Sequence, residues 1–336
     1  MSTAVIFNDT RINAHFGCDR VMNVIETQLA QRGVTVIGSS PCAHLWWQDA
    51  ALMRMIAAAD LLVINGEGTL HHGTGQAANL MKLAGHPVAA GKPLFLINAL
   101  YQQNPAEWSE LLNHFAGIWA RDGRSAAELS AATGRKISFF GDLTLCDGII
   151  NAHALRQGVV VSDSAKKLTT LQLAKLGGSL ADTKLVPVVR ELKSVRGRHG
   201  LATIVRRLQD KAVKAIWKQR FPNLTLLPGP TEFARILGSA ALHVTGRFHG
   251  VCFSILTQTP FVAVTSNSWK IEALIEDCGL SPDRIVTPDA IGPALLQRDW
   301  SFTAQEQAAI LAFVEFSGRA AGDAFDEIAA SVRTKE

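Results

Sequence analysis

The sequence predicts an α/β protein made of two parallel sheets wrapped by helices, and three observations support this fold class. Short apolar runs typical of buried strands alternate with helical patterns from one end of the chain to the other. The chain has 336 residues, more than one domain of typical size. Most of the Gly-flanked polar clusters directly follow an apolar run, and parallel sheets bind ligands where their strands end.

The first half of the chain contains six apolar runs of strand length. They predict strands at 4–8, 34–37, 61–65, 93–98, 117–120 and 137–140. Helical patterns lie between them at about 19–31, 46–59 and 76–90. Ser125 to Glu128 matches a helix capping box, so a helix is expected to begin there and to leave Arg121 and Asp122 at the end of a strand. Gly66 to Gly73 follows the third strand, and its glycines allow a tight turn around Glu67.

The second half repeats the alternation. Strands are predicted near 158–162, 184–189, 224–227, 241–244 and 261–264. Pro228 to Pro230 indicates a turn followed by a helix start. Residues 304–332 are almost continuously helical, with a break expected around Gly318 to Gly322.

The domain boundaries follow from a stretch without a clear pattern, residues 148–157. We therefore expect an N-terminal domain at 1–152 and a C-terminal domain at 153–300. A C-terminal helix in 301–336 could pack back on the first domain.

Composition is that of an ordinary globular protein, with 48% hydrophobic and 18% charged residues. The first residues have no basic segment before a long apolar run, so they are interpreted as a strand and not as a secretion signal. The sequence has no apolar stretch long enough to span a bilayer. Its five cysteines are scattered without a Cys-x-x-Cys pair, which favours reduced thiols and a cytoplasmic location.

Positive charge is concentrated in residues 184–220. This stretch holds eleven Lys and Arg against Glu191 and Asp210, while the whole chain has a net charge of +4. Within it, apolar residues recur at helical spacing with basic residues on the other faces: Ile204, Leu208, Ala212 and Ile216. Such a helix can lie on anionic lipid, although a solvated surface helix is the commoner outcome. Nucleic acid is not expected as a partner, because Trp217 is the only aromatic residue of the stretch.

The segment Gly246-Arg247-Phe248-His249-Gly250 joins a predicted strand to a predicted helix. A helix N-terminus beside an arginine forms a strong site for a phosphate or carboxylate, and an imidazole there can move a proton near neutral pH. The alternative is a helix start with an incidental arginine and a packed histidine. Lys270 is either a second cation at this anion site or a surface lysine.

Further polar residues follow other predicted strands, and together they suggest one binding cleft. They are Glu67, Arg121, Asp122 and Asp142, in addition to Arg247 and His249.

Gly66 and Gly68 do not belong to a dinucleotide fingerprint, because His71 stands where the third glycine would be. No metal is expected, since the side chains of the adjacent His71 and His72 diverge.

Several of these segments resemble the polysaccharide pyruvyl transferase family. The resemblance lies in Gly246 to Gly250, in the following SILTQTPFVAV segment and in Lys270-Ile271. It extends to Leu61 to His72, to Arg121-Asp122 with Ser125, and to His15-Phe16-Gly17 with Asp19, all in the order typical of the family. Arg247 and His249 match the Arg-Leu-His motif of the family, with Phe248 in place of Leu.

This resemblance implies two Rossmann-like domains that face each other across a cleft, as in the glycosyltransferase B fold. It implies transfer of the enolpyruvyl portion of phosphoenolpyruvate to a sugar of a cell-surface polysaccharide or its lipid-linked precursor, as a pyruvate ketal. No cofactor is expected beyond this small anionic donor. A peripheral contact with the inner face of the cytoplasmic membrane is also implied.

The resemblance and the spacing together assign roles to the candidate residues. We expect donor binding by Gly246, Arg247, Gly250 and Lys270, and acceptor binding by Gly66, Gly68, His71, Arg121 and Asp122. We expect His249 to act as an acid. Glu67, or else Asp19 or Asp122, would accept the proton of the sugar hydroxyl.

Two alternatives remain open at this point. The first is a glycosyltransferase of the glycosyltransferase B type that uses a nucleotide-activated sugar, with Arg247 at the diphosphate and Glu67 as the base. The second is a non-enzymatic protein that binds anionic surfaces through residues 184–220, in a salt-dependent way that does not need His249.

Overall fold

The computed structural model describes residues 2–150, 155–179, 182–192 and 201–333. The chain divides into two compact units that are discontinuous in sequence. Unit 1 comprises Met1–Ile12, Val21–Cys146 and Phe316–Glu336, and unit 2 comprises Asn13–Arg20 and Asp147–Glu315. Each unit is built on its own parallel sheet, so the predicted α/β class with two Rossmann-like units is confirmed.

Unit 1 contains a six-stranded parallel sheet in the order β2-β1-β3-β4-β5-β6. Its strands are β1 (Ser2–Asp9), β2 (Val34–Pro41), β3 (Leu61–His71), β4 (Leu94–Gln102), β5 (Gly117–Ala120) and β6 (Ser138–Phe139). Its helices are α1 (Phe16–Gln31, from Val21 on), α2 (Ala50–Ala58), α3 (Gly75–Met81), α4 (Trp108–Leu112) and α5 (Gly123–Thr133).

Both faces of this sheet are covered, which explains why its strands are apolar without alternation. Val5 and Phe7 of β1 point into a core formed with α2, α3 and α4. Ala4 and Ile6 point to the other face, where α1 and the end of the C-terminal helix pack with Phe325.

Unit 2 contains a five-stranded parallel sheet in the order β8-β7-β9-β10-β11. Its strands are β7 (Val159–Ser164), β8 (Thr183–Leu185), β9 (Leu242–Gly246), β10 (Phe261–Val264) and β11 (Ile285–Val286). Its helices are α6 (Lys167–Gly178), α7 (Leu201–Arg220), α8 (Pro230–Gly238), α9 (Phe248–Leu256), α10 (Lys270–Asp277) and the first part of α11 (Ala304–Arg333). Among the described residues, no helix combines the length and apolar character needed to cross a membrane.

The two sheets share one strand order, in which the chain starts in an inner strand, moves to one edge and then crosses back. The order reverses between β1 and β3 in unit 1, and between β7 and β9 in unit 2. Ligands of open α/β sheets bind at the carboxyl ends of the strands at such switch points. Each unit therefore has one predicted place for a ligand.

Several predicted elements differ from the structure. No strand forms at 224–227, where Leu224 makes only an isolated bridge to Leu185. The segment after Asn65 is not a loop, because β3 continues to His71 past a bulge opposite β4. The helix expected at 76–90 ends at Met81 and gives way to short 3-10 turns.

Two helix termini also differ from expectation. Asp122 caps α5 by accepting from the Ser125 amide, so the helix begins before the expected capping box, and the Ser125 hydroxyl instead accepts from the Tyr101 amide. α11 is not broken at its glycines. Because Gly318 has no side chain, the Cys146 carbonyl can pack against the helix there. A Cβ added to Gly318 would lie 3.0 Å from the Cys146 carbonyl oxygen.

Residues 13–20 do not belong to the N-terminal domain as expected for 1–152, because backbone hydrogen bonds tie them to unit 2. The Phe16 amide donates to the Val188 carbonyl at 3.0 Å, and the Arg190 amide donates to the Ala14 carbonyl at 2.7 Å. The predicted junction at 148–157 lies partly outside the described residues, and the unit boundary falls after Cys146.

A buried histidine joins three elements of unit 2. The His243 ring of β9 is hydrogen bonded to the Ser162 hydroxyl of β7 at 2.9 Å and to the Ser254 hydroxyl of α9 at 2.7 Å. Burial lowers the pKa of His243 to about 3, so the ring is neutral in the folded protein. This neutral ring holds α9 against the sheet.

Acid is expected to destabilise the fold through His243. Because its pKa lies near 6.5 in an unfolded chain and at about 3 in the fold, only the unfolded chain takes up this proton between those values. As the pH decreases from 6.5 to about 3, this group should lower the free energy of unfolding by up to about 1.4 kcal/mol per pH unit. Urea denaturation of the wild type and of His243→Asn over this range measures it. Equal pH slopes for the two proteins would contradict the assignment.

Candidate active site

The switch point of unit 2 is occupied by an ion pair between Arg247 and Asp163. Arg247 follows β9 and is the N-cap of α9, while Asp163 lies near the end of the adjacent β7. The guanidinium donates to one carboxylate oxygen, from Nε at 2.8 Å and from Nη2 at 2.5 Å. The other oxygen accepts from the Val188 amide at 2.8 Å. These contacts fix the arginine, and its Nη1 donates to no residue that the structure describes, so this edge can bind a ligand.

His249 lies in the first turn of α9 and is only 6% exposed. The backbone of Gly17 passes directly against its ring. A Cβ added to Gly17 would lie 2.0 Å from His249 Cγ and 2.4 Å from Nδ1, so no other residue fits without displacing the imidazole. The ring of His15 packs edge-on against His249 with centroids 4.9 Å apart.

His15 is buried, and its pKa lies well below the usual value. The main cause is desolvation, and the nearby charges of His249, Arg247 and Lys270 lower it further. His15 Nδ1 accepts a hydrogen bond from the Gly17 amide at 3.2 Å, which helps to shape the loop against His249. His15 therefore acts as a neutral wall of the site.

The ligand atoms of His15, Cys18 and His249 lie within 4.8 Å of one another, the only such group found among the described residues. Two imidazoles and a thiolate suit a soft divalent ion such as Zn²⁺. The sequence pointed only to His71 and His72 as possible metal ligands, because His249 lies far along the chain from the other two members of this group. An ion held here would occupy His249 and prevent it from acting as an acid.

Asp19 and Lys270 also belong to unit 2. Both carboxylate oxygens of Asp19 are engaged by Arg190, at 2.7 Å and 3.1 Å, beside the backbone bonds that seat residues 13–20. This contact suits an anchor for the loop better than the base that was expected. Lys270 begins α10 and donates to Asn267 at 2.9 Å. Its positive charge helps to lower the pKa of His15.

The glycines expected to bind the donor have packing roles. An added Cβ at Gly246 would lie 2.5 Å from the Ser164 side chain, and one at Gly250 would lie 2.4 Å from the Thr245 hydroxyl. Gly246 lets the end of β9 approach β7, and Gly250 lets α9 sit closely on β9, so both glycines position the site.

A cavity of about 780 Å³ opens beside the ion pair within unit 2. Its lining includes His15, Cys18, Asp163 and Arg247. Its other walls are mainly apolar and come from α6, α7 and β8. The size and the combination of apolar walls with a few convergent polar groups are typical of small-molecule sites.

The switch point of unit 1 contains a buried network of asparagines with Glu67. The Asn8 side-chain amide donates to the Asn65 backbone carbonyl at 2.7 Å, and the Asn65 side-chain amide donates to the Glu67 carboxylate at 3.3 Å. The Asn98 side-chain amide donates to Asn65 Oδ1 at 3.5 Å. Asn8, Asn98 and Glu67 all have positive φ, at 64°, 54° and 39°. Such backbone strain in non-glycine residues is concentrated at functional sites.

The remaining candidates of unit 1 have structural contacts. Gly66 lets β3 approach β4, since an added Cβ would lie 2.6 Å from Ala99 Cα, whereas the space around Gly68 is open. Arg121 is buried, with Asp122 at 3.8 Å and Asp142 at 3.7 Å. His71 ends β3 and packs edge-on against His72.

The candidates thus form two groups. Arg247, His249, Lys270 and Asp19 are in unit 2, and Glu67, Arg121, Asp122 and His71 are in unit 1. Asp163 and the asparagines were not among the residues predicted from the sequence. A signal for the asparagines was available, because Asn8, Asn65 and Asn98 each follow an apolar run directly.

Comparisons with solved structures show the same fold at low sequence identity. The putative UDP-N-acetylglucosamine 2-epimerase of Listeria monocytogenes matches with a TM-score of 0.55 and 12% identity, covering 96% of this chain and 94% of that one. The UDP-GlcNAc 2-epimerase of Neisseria meningitidis matches with a TM-score of 0.52 and 10% identity over 100% of both chains. CalG4, the calicheamicin glycosyltransferase, matches with a TM-score of 0.54 and 13% identity over 98% of both.

A search of curated proteins gives no significant match. The family model of polysaccharide pyruvyl transferases, in contrast, matches residues 15–268. The matched range begins at His15 and includes Asn65, Asp163, Arg247 and the whole of α9. It covers well over half of the chain and contains the ion pair and the buried histidine at the switch point of unit 2. The chain therefore belongs to the polysaccharide pyruvyl transferase family.

Proposed function

We propose that this protein transfers the pyruvyl group of phosphoenolpyruvate to a sugar of a cell-surface polysaccharide or its lipid-linked precursor, forming a pyruvate ketal. The observation that carries the proposal is the placement of Arg247 and His249 at the start of α9, at the switch point of unit 2. Family membership supports the same reaction.

Phosphoenolpyruvate carries a carboxylate and a phosphate, and unit 2 offers groups for both. The Nη1 edge of Arg247 and the first amides of α9 suit one anion. Lys270 supplies a second positive charge in the neighbourhood of His15. Asp163 holds the guanidinium in place, so little side-chain entropy is lost when the donor binds.

The reaction balances without a redox cofactor. A proton adds to the methylene carbon of the donor, and a first sugar hydroxyl forms a bond to the central carbon and loses its proton. The bond from that carbon to the phosphate oxygen then breaks. A second hydroxyl closes the ketal, and inorganic phosphate leaves with the remaining proton.

We assign the acid role to His249, which would deliver the proton to the methylene carbon or to the departing phosphate. Glu67, in the strained network of unit 1, is our candidate for the base that accepts the hydroxyl proton. Asp19 is not retained as a base, because Arg190 engages both of its oxygens.

A donor screen tests the proposal. Incubation with phosphoenolpyruvate and candidate saccharides should release phosphate only when an acceptor is present, and mass spectrometry should find the acceptor heavier by one pyruvate less one water. The structural neighbours include a glycosyltransferase and an epimerase bound to UDP-GlcNAc. Release of a nucleotide from an activated sugar would therefore favour a glycosyltransferase and overturn the proposal.

Replacing Arg247 is expected to weaken donor binding. Loss of a charge-assisted hydrogen bond costs about 1.5–3 kcal/mol, so Arg247→Ala should bind phosphoenolpyruvate roughly 10- to 150-fold more weakly in calorimetry. Because this change leaves Asp163 buried without its partner, Arg247→Ala with Asp163→Asn serves as the folding control. Unchanged donor affinity in a folded variant would contradict the role.

Replacing His249 is expected to affect turnover and not donor affinity. A general acid contributes about 10²–10⁴-fold, so His249→Ala should lose most of its turnover while it still binds phosphoenolpyruvate. Steady-state kinetics and calorimetry on the same preparation separate the two effects. Normal turnover by this variant would exclude the role.

Gly17→Ala is expected to reduce turnover by displacing His249. Its Cβ would lie 2.0 Å from the ring, and a shift of about 1 Å at a catalytic group can cost about 10²-fold in rate. Gly75→Ala is the matched control, since no atom lies within 4 Å of its added Cβ. If both variants have the same kcat, Gly17 does not position the imidazole.

A further inference from the structure

The amphipathic helix α7 exposes its apolar face, whereas an ordinary surface helix buries it. At roughly 3.6 residues per turn, seven of its apolar residues fall within about 120° of the helix circumference. This face, called here the outer face, consists of Leu201, Ile204, Val205, Leu208, Ala212, Ala215 and Ile216. All seven residues are exposed, with Leu201 at 76%, Ile216 at 61% and Leu208 at 60%.

The opposite side of α7 packs inward and is partly polar. Asp210 is only 6% exposed and pairs with Lys214 at 2.6 Å. Trp217 packs on Phe221 and, with Val213, lines the cavity of unit 2. A surface helix usually buries its apolar stripe, whereas the apolar stripe of α7 is exposed.

This exposure is concentrated and not scattered over the surface. Eleven large apolar side chains are exposed among the described residues, and five of them lie on the outer face. Single exposed apolar residues need no explanation, whereas a contiguous patch marks an interaction surface.

Positive charges flank the outer face. Arg207, Lys211 and Lys218 lie along one edge and are exposed, and Arg220 lies on the other side. Asp210 is the only acidic residue of the helix, and Lys214 neutralises it. An apolar stripe bordered by Lys and Arg matches the boundary between acyl chains and anionic headgroups.

We propose that α7 docks this protein on an anionic lipid bilayer, with its outer face inserted at the headgroup boundary and its basic edge on the headgroups. Pairing of two outer faces between copies of the chain is less favourable, because it would bring two strongly basic helices together. The inference goes beyond the transfer reaction and does not depend on it.

The test is co-flotation of the full chain with vesicles, without donor or acceptor. Vesicles of phosphatidylcholine with about one-third phosphatidylglycerol should bind the protein, more weakly as salt rises, and vesicles of phosphatidylcholine alone should bind far less. The double variant Leu208→Gln with Ile216→Gln should lose about tenfold or more in affinity, because two inserted side chains are removed. Leu226→Gln with Leu311→Gln is the matched control, with two exposed apolar residues elsewhere.

A charge series completes the experiment. Arg207→Gln with Lys211→Gln and Lys218→Gln should weaken binding and flatten its salt dependence. The matched control changes three exposed basic residues outside α7, Arg54, Lys136 and Lys175, to Gln. His249→Ala should bind vesicles like the wild type.

No binding to anionic vesicles at low salt, or equal binding by the outer-face variant, would overturn the proposal. Dimerisation that the outer-face variant abolishes, without vesicle binding, would assign the surface to a second copy instead.

Discussion

The ion pair between Asp163 and Arg247 is the interaction on which the arrangement of unit 2 depends. It joins the ends of β7 and β9, the two strands between which the strand order reverses. The same carboxylate accepts from the Val188 amide, and the Val188 carbonyl accepts from Phe16, next to Gly17. One buried carboxylate thus fixes both the arginine and the loop that lies against His249. A buried charge with several partners is costly to disturb, which makes the site rigid.

The local parts of this site could be predicted from the sequence. Arg247 and His249 stand between an apolar run and a helix, so their place at the end of a parallel strand follows from periodicity. Asp163 could not be paired with Arg247 in the same way, because 84 residues separate them and no local pattern specifies the contact. The contact of Gly17 with His249 is similarly remote in sequence. Glycine permits many conformations, and the sequence alone does not show which one is used.

The fold shows the same division between local and tertiary control. Strands buried on both faces were recognised because their apolar runs are continuous, as in 61–65 and 93–98. The expected strand at 224–227 has a suitable composition, yet it makes only one bridge and is not paired further. The glycines of α11 were expected to break the helix, but Gly318 is needed for close contact with Cys146. In the first case strand propensity has too little pairing to form a strand, and in the second the helix tolerates a glycine that a tertiary contact requires.

The outer face of α7 also has a thermodynamic consequence. Its apolar side chains are already hydrated in the folded protein, so melting this helix exposes little additional apolar surface. The heat capacity change and the denaturant sensitivity of unfolding scale with newly exposed surface, and α7 contributes little to either. Because Asp210 is the only fully buried residue of α7, we expect this helix to open at low free-energy cost.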